Sequence, residues 1–124
     1  MISIFEACFK PDLELVKKYI EQKGDVNVRD MLAWTPLHIA CRRHPEAVKL
    51  LLERDDIDVN VKDYMGDTPL HHACERQPES VKYLLEHKDI DLSIKDRYDN
   101  TCFDIAEECN PQLLPLLLTH HIKD

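Results

Sequence analysis

The chain is 124 residues long, which suits one domain, and its 24 acidic and 16 basic side chains give a net charge of −8. This acidic balance argues against general nucleic-acid binding, which needs a basic face, and is compatible with a partner that has a basic patch. No run of about 18 apolar residues occurs, so no membrane-spanning helix is predicted. Five cysteines fit a reducing compartment, the cytoplasm or alternatively the nucleus.

The first 29 residues predict a pair of short helices. Residues 1–6 lack a basic region followed by an apolar stretch, so we expect no secretory signal. Pro11 marks the turn between the helices. In the second helix, Val16, Tyr19 and Ile20 follow the spacing of one helix face, which indicates an amphipathic helix.

The same arrangement returns three times. Pro45, Pro78 and Pro111 mark the later turns. Each later second helix repeats the apolar spacing: Val48, Leu51 and Leu52; Val81, Leu84 and Leu85; Leu114, Leu117 and Leu118. Pro115 falls inside the last helix, where it should remove a backbone hydrogen bond and bend the helix.

A six-residue phrase recurs every 33 residues: Thr-Pro-Leu-His-Ile-Ala at 35–40, Thr-Pro-Leu-His-His-Ala at 68–73 and, weakened, Thr-Cys-Phe-Asp-Ile-Ala at 101–106. The threonine suits a helix N-cap and the proline suits the first helical turn. A second phrase, Asp-Val-Asn-Val, follows the second helices and leads to a short polar tip, which predicts hairpin-like fingers. Self-similarity at a fixed period indicates stacked repeats that share one core.

These phrases make the chain resemble the ankyrin-repeat family, whose signature contains Thr-Pro-Leu-His-x-Ala in a repeat of about 33 residues. The resemblance covers essentially all of the chain and implies an all-α solenoid of helix-turn-helix units with short β-hairpin-like fingers. We count four repeats in a single domain: an N-terminal cap at 1–29, repeats at 30–62 and 63–95, and a C-terminal cap at 96–124. Because the end units are atypical, as caps are, we expect a complete array.

The finger tips depart from the family pattern at two positions. The family usually has glycine there, which Gly66 keeps, whereas Ala33 and Asp99 replace it. Aspartate tolerates a positive φ better than alanine does. We therefore expect a reshaped finger at Ala33.

The histidines and most cysteines predict packing rather than chemistry. The resemblance implies that His38 and His71 form hydrogen bonds between repeats. Cys8, Cys41 and Cys74 recur in phase, as packing positions do, whereas a nucleophile is needed once. Two glycines cannot supply a phosphate loop, and no metal-ligand spacing stands out. We predict no catalytic residue, metal or cofactor, although Cys109, expected at the exposed mouth of the last unit, leaves a small thiol-dependent enzyme as an alternative.

The Asp-Val-Asn phrase allows a modification site. In the resembled family this asparagine can be the substrate of an asparaginyl hydroxylase, and Asn60 matches that pattern best. The structural alternative is an asparagine that bonds its own loop backbone. The two interpretations are compatible.

Stacked repeats generate an extended concave surface, and the resemblance implies that finger tips and the ends of the first helices face it. These positions form the predicted partner-binding set: Met31, Leu32, Trp34, Arg42, Arg43, Tyr64, Met65, Asp67, Glu75, Arg76, Arg97, Tyr98 and Asn100. Its aromatic, methionine and arginine content is typical of interface hot spots. Alternatively, Leu32 or Trp34 packs locally on the next repeat, and the arginines pair with Glu75 or Asp67.

The sequence therefore predicts a non-catalytic protein–protein interaction module, an adaptor or inhibitor, that is monomeric by itself. Its partner would combine apolar anchors with acidic residues, because arginine binds carboxylates bidentately. No nucleic acid and no membrane is expected. A purely structural scaffold repeat is the remaining alternative, and it would predict a featureless polar face.

Overall fold

A computed structural model describes residues 3–10 and 12–123, with side chains up to His120. The helices are α1 (Ile4–Phe9), α2 (Leu13–Glu21), α3 (Pro36–Arg43), α4 (Pro45–Leu52), α5 (Pro69–Arg76), α6 (Pro78–Leu85), α7 (Cys102–Cys109) and α8 (Leu114–Lys123). A 3₁₀ turn, Pro111–Leu113, precedes α8. The turn predicted at Pro11 lies outside the described residues.

The helices form two layers of antiparallel pairs. In the inner layer α1 packs on α3, α3 on α5 and α5 on α7, while in the outer layer α2 packs on α4 and α4 on α6. Leucines such as Leu37, Leu51, Leu70 and Leu84 are fully buried between the layers. One continuous apolar core therefore runs along the stack, as a repeat architecture requires.

Helix starts follow from the recurring phrase. The Thr35 and Thr68 side chains accept from the backbone N–H groups of His38 and His71, and the imidazoles accept in return from the threonine N–H groups. These reciprocal caps satisfy orphan donors of the first turn. The outer helices α4 and α6 begin at Pro45 and Pro78 after a single intervening residue, which confirms the predicted turns.

The last helix differs from the prediction in two respects. Pro115 lies in the first turn of α8 rather than inside the helix as predicted, so its missing N–H has no intrahelical partner to lose and the stated reason for a bend is absent. Leu118 is 49% exposed, although the sequence placed it on the buried stripe. The reason is that the 3₁₀ turn buries Leu113 before α8 begins, which leaves Leu117 as its fully buried leucine.

The fingers are tight turns, and no strand occurs in residues 3–10 and 12–123. Ala33, Gly66 and Asp99 have φ values of 61°, 77° and 68°, so all three tips share the left-handed conformation. The expectation of a reshaped finger at Ala33 is therefore wrong. At each finger an aspartate carboxylate accepts two backbone N–H groups, and this bonding imposes one conformation on different tip residues.

Side chains at a fixed register join consecutive units. The Thr35 N–H donates to Nδ1 of His38 at 3.0 Å, so Nε2 carries the proton and donates to the Asp67 carbonyl at 2.9 Å. His71 repeats the bond to the Asn100 carbonyl at 2.9 Å. These bonds confirm the predicted role of both histidines. Burial lowers the pKa of His38 to about 4 and also lowers that of His71, so both rings stay neutral at physiological pH.

Asparagines form a second set of links. Asn60 donates to the Asp89 carbonyl at 2.7 Å and accepts from the Asp91 N–H at 3.0 Å. Asn27 makes the same two bonds one unit earlier, to residues 56 and 58. The amides thus bond the loop of the next unit rather than their own loop, because stacking brings successive loops side by side.

Candidate functional site

Large apolar side chains lie exposed along the finger tips. Met31 is 93% exposed, Tyr64 74% and Tyr98 66%, and Leu32 and Met65 are exposed as well. The Tyr64 N–H donates to the Leu32 carbonyl at 3.1 Å, and the Arg97 N–H donates to the Met65 carbonyl at 2.9 Å. The tips are therefore joined by their backbones, and we call these five apolar side chains the tip row.

Trp34 is half-buried beside the tip row. Its ring meets the ring of His72 edge-on, with centroids 5.0 Å apart, and the Arg42 guanidinium lies 5.3 Å from its centroid. The indole thus contacts the next unit while part of it faces solvent. The contact with His72 agrees with the local-packing alternative for Trp34, and partner binding through the exposed part of the ring stays a prediction.

A buried polar chain holds Arg42 in place. The Arg42 guanidinium donates to Nδ1 of His72 at 3.0 Å, and Nε2 of His72 donates to the Asp63 carboxylate at 2.8 Å. Burial opposes charge on Asp63, but the bonds from His72 and from the Asp67 N–H outweigh it and keep the Asp63 pKa below its ordinary value. This polar chain was not predicted from the sequence, because His72 occupies the variable position of the recurring phrase.

A narrow cavity of about 170 Å³ opens beside Trp34. Phe9, Trp34, Ile39, Arg42 and Arg43 line this cavity, which we call the arginine slot. The Arg43 guanidinium lies 4.0 Å from the centroid of the Phe9 ring, and Phe9 is 51% exposed. Phe9 was not among the predicted partner-binding residues, although it precedes Arg42 by one repeat period and so has the same position in its repeat.

The remaining predicted residues border these features. Arg76 pairs with Glu75 at 3.0 Å, which agrees with the paired alternative for this arginine. Arg97 lies over the Tyr98 ring at 5.8 Å and donates to the Met65 sulfur. Asp67 and Asn100 are half-buried, and their carbonyls accept the histidine bonds between units.

Asp67 has an unusual electrostatic environment. Burial, together with the neighbouring Asp63 and Asp96 carboxylates, raises the pKa of Asp67 to about 7. Its side chain hydrogen-bonds Asp96, so a proton held between the two groups removes their repulsion. The charge beside the tip row therefore changes near neutral pH.

Two groups of side chains bring possible metal-ligand atoms within 4.8 Å of one another: His38, Asp63 and His72, and Asp67, His71 and Asp96. A histidine ligates a metal through a free ring nitrogen. Both nitrogens of all three histidines already have partners. The donor set therefore fits structural bonds rather than a metal centre.

The cysteines are poorly suited to nucleophilic chemistry. Burial raises the pKa of Cys8 to about 12 and also raises that of Cys41. Cys109 is exposed, as the sequence predicted, but partial desolvation and the carboxylates of Glu75 and Glu108 raise its pKa. Because the thiolate is the reactive form, this environment works against the thiol-dependent alternative.

The stacked helical pairs and bonded finger tips define a helical repeat protein. The chain matches the family described as ankyrin repeats, in three copies, over residues 4–96. It therefore belongs to the ankyrin-repeat family, and this membership supports a protein-interaction module. None of the helices in the described part of the chain is long and apolar enough to cross a membrane.

The chain is also similar to two curated proteins, both named protein phosphatase 1 regulatory subunit 27, from Homo sapiens and Mus musculus. Each is 36% identical over 53 residues, which is 42% of this chain and 34% of the relative. The aligned segment thus spans about a third of the relatives' length.

Proposed function

We propose that the chain is a non-catalytic adaptor or inhibitor that binds a partner protein on the concave face made by the finger tips and the inner helices, which we call the finger face. Binding would use the tip row and the neighbouring arginines. The observation that carries this proposal is the tip row itself. An apolar surface on a water-soluble repeat array usually marks an interface, and tyrosine, methionine and arginine are enriched there.

Rigidity supports the same proposal. The tips are tied to one another by backbone bonds and to the inner helices by His38 and His71. The backbone of such a frame loses little freedom on binding, so more of the contact energy remains as affinity. A purely structural scaffold has no need of exposed tyrosines on its finger tips.

The single-domain array of four repeats is part of this proposal, because the finger face needs successive units to reach a useful area. Asn60 remains a proposed hydroxylation site, and both ends of its amide are engaged in the link to the next unit. The five free cysteines support a reducing compartment, for which we propose the cytoplasm. The name of the curated relatives makes protein phosphatase 1 the first partner to test.

The test compares capture by the wild type, a tip variant and an outer-layer control. Met31→Ser with Tyr64→Ala removes two exposed anchors, and Lys49→Ala changes an exposed residue of α4 on the other face. We expect a partner, captured from extract or supplied as purified phosphatase, to bind the wild type and the control alike. Its affinity for the tip variant should fall by about 2 kcal/mol or more. Loss of binding in the control with retention in the tip variant would refute the proposal.

A further inference from the structure

We infer that the arginine slot receives one Asp or Glu carboxylate of the bound partner, with an apolar side chain of the same segment seated next to it. This inference rests on the proposed function, since it names the chemistry of the segment that the finger face would bind. The geometry that points to it is two guanidinium groups, of Arg42 and Arg43, that lie against aromatic rings and have no carboxylate partner among the described residues.

Two arginines of the slot lack an acidic partner. Among the described residues, Arg54 and Arg76 each pair with a carboxylate, whereas Arg42 and Arg43 do not. Arg42 gives one hydrogen bond to His72, and the Arg43 guanidinium contacts the Phe9 ring. A guanidinium has five N–H donors, so most donors of both groups are available to a ligand in a chain whose net charge is −8.

These donors are also held in position. Asp63 orients His72, and His72 in turn fixes the Arg42 guanidinium beside the Trp34 ring. Stacking over Phe9 restrains Arg43 in the same way. A carboxylate entering the slot would therefore meet guanidinium N–H donors that are already in position. The apolar walls would strengthen the resulting hydrogen bonds.

A second cavity adjoins the slot. It has a volume of about 280 Å³ and is lined by Phe5, Glu6, Phe9, Lys10 and Ile39. The two cavities share Phe9 and Ile39, so they lie side by side. An aliphatic or aromatic side chain close in sequence to the carboxylate fits this second hollow.

Acidic neighbours reduce the positive charge around the slot. Burial and the neighbouring Arg76 lower the pKa of Arg42, while Glu75 and Asp67 act in the opposite direction. These two acids partly offset the positive charge of the slot. The two guanidinium groups match a single carboxylate, and a phosphoserine peptide provides the test of a phosphate.

The experiment uses a display library of random 12-residue peptides, selected on the wild-type protein. We expect enriched peptides to share an acidic residue within one or two positions of an apolar residue. The best peptide is then synthesised with glutamate, glutamine or phosphoserine at that position. Glutamate-to-glutamine exchange should weaken binding to the wild type about tenfold or more, the range for a charge-assisted bond.

Arg43→Gln should abolish this preference for glutamate over glutamine, and Arg42→Gln provides a second variant of the slot. Arg43 is exposed, so its replacement leaves the fold intact. Lys82→Gln is the matched control, because Lys82 also carries a cation near an aromatic ring, Tyr83, but on the outer layer. The control should keep the full preference.

Three results would overturn the inference: no enriched peptide, enriched peptides without an acidic residue, or an unchanged glutamate preference in Arg43→Gln. A phosphoserine peptide that binds about tenfold more tightly than the glutamate peptide would make the slot a phosphate site instead. Failure of the proposed function looks different, since binding would then survive both the slot variants and the Met31→Ser/Tyr64→Ala variant.

Discussion

The second and third units of the stack share one backbone and differ in one buried contact. Asp30 and Asp63 each accept two finger N–H groups, and both tips have a positive φ. At the variable position of the phrase, however, the second unit has Ile39 and the third has His72, which bonds Asp63. Both side chains are buried.

The comparison shows that the same backbone accepts either an apolar or a polar side chain at this position. Isoleucine contributes packing alone. Histidine requires an acceptor and an outward donor, and the chain supplies them as Asp63 and Arg42. His72 therefore fixes Arg42 beside Trp34, and so links the core of the third unit to the surface of the second.

The largest expected effect tests the frame that both units share. Leu51 and Leu84 are each fully buried in the outer layer, at equivalent positions. Leu51→Ala and Leu84→Ala should each lower the free energy of unfolding by about 2–5 kcal/mol, because both leave a cavity. Urea denaturation measures this. A loss under about 1 kcal/mol in either variant would show that the two units do not share one core.

The next effect separates the units. In Asp63→Asn the amide presents a donor either to His72 or to the finger N–H groups, and a change of histidine tautomer moves the conflict to Arg42. We expect a loss of about 1–3 kcal/mol in the free energy of unfolding. Asp30→Asn, which faces no histidine, should cost clearly less. Equal losses in the two urea titrations would remove the distinction between the units.

Finger tips give a smaller pair of effects with opposite signs. Ala33→Gly should stabilise the protein by up to about 1 kcal/mol, because alanine is strained at positive φ. Gly66→Ala should destabilise it, since φ is 77° and an added Cβ would lie 2.9 Å from the backbone nitrogen of Arg97. Thermal unfolding followed by circular dichroism checks both. A shift of the same sign in both variants would contradict a common finger geometry.

The smallest effect is a pH dependence that belongs to the third unit. Asp67 has its pKa raised to about 7, so the folded state binds this proton more tightly than the unfolded state does. The associated stability is complete below about pH 4, near the ordinary value for aspartate, and is lost as the pH rises through about 7. In Asp67→Asn the difference between urea midpoints at pH 5 and pH 8 should shrink.

Two comparisons bound that result. The exposed Asp55→Asn variant should keep the pH dependence of the wild type. His38 acts in the opposite direction: its lowered pKa gives stability that is present above about pH 6.5 and is lost as the pH falls through about 4. An Asp67→Asn variant with an undiminished difference would show that another group titrates there.

Periodicity predicted the fold well, because apolar spacing and a capped proline start are local signals. It could not place Leu118, since the 3₁₀ turn before α8 changes which leucines face the core. It misjudged Ala33, because the Asp30 hydrogen bonds impose the tip conformation at the cost of strain. In both cases a nearby stretch of the same unit, the 3₁₀ turn or the Asp30 carboxylate, overruled the simpler expectation from spacing or residue type.

The exposure of the finger tips was predicted from the sequence, whereas partner binding there stays a prediction. Exposed tip residues follow from their repeat phase, whereas the arginine slot depends on how side chains from two units meet. Phe9 could have been found from the phase of Arg42, but its stacking on Arg43 could not. The link between His72 and Asp63 spans nine positions and breaks the repeat, so no periodic signal announces it.

The asparagine links allow the number of repeats to change without loss of the bonds between them. Asn27 and Asn60 each bond the following loop through backbone atoms alone, so the bond does not depend on which side chains that loop carries. A duplicated unit inserted after residue 62 would bring its own asparagine and its own acceptor. The hydroxyl of Ser93 donates to Asp91 of its own loop and makes no such link to a following unit. A unit duplicated in the middle of the array would therefore keep more of these bonds than one added after Ser93.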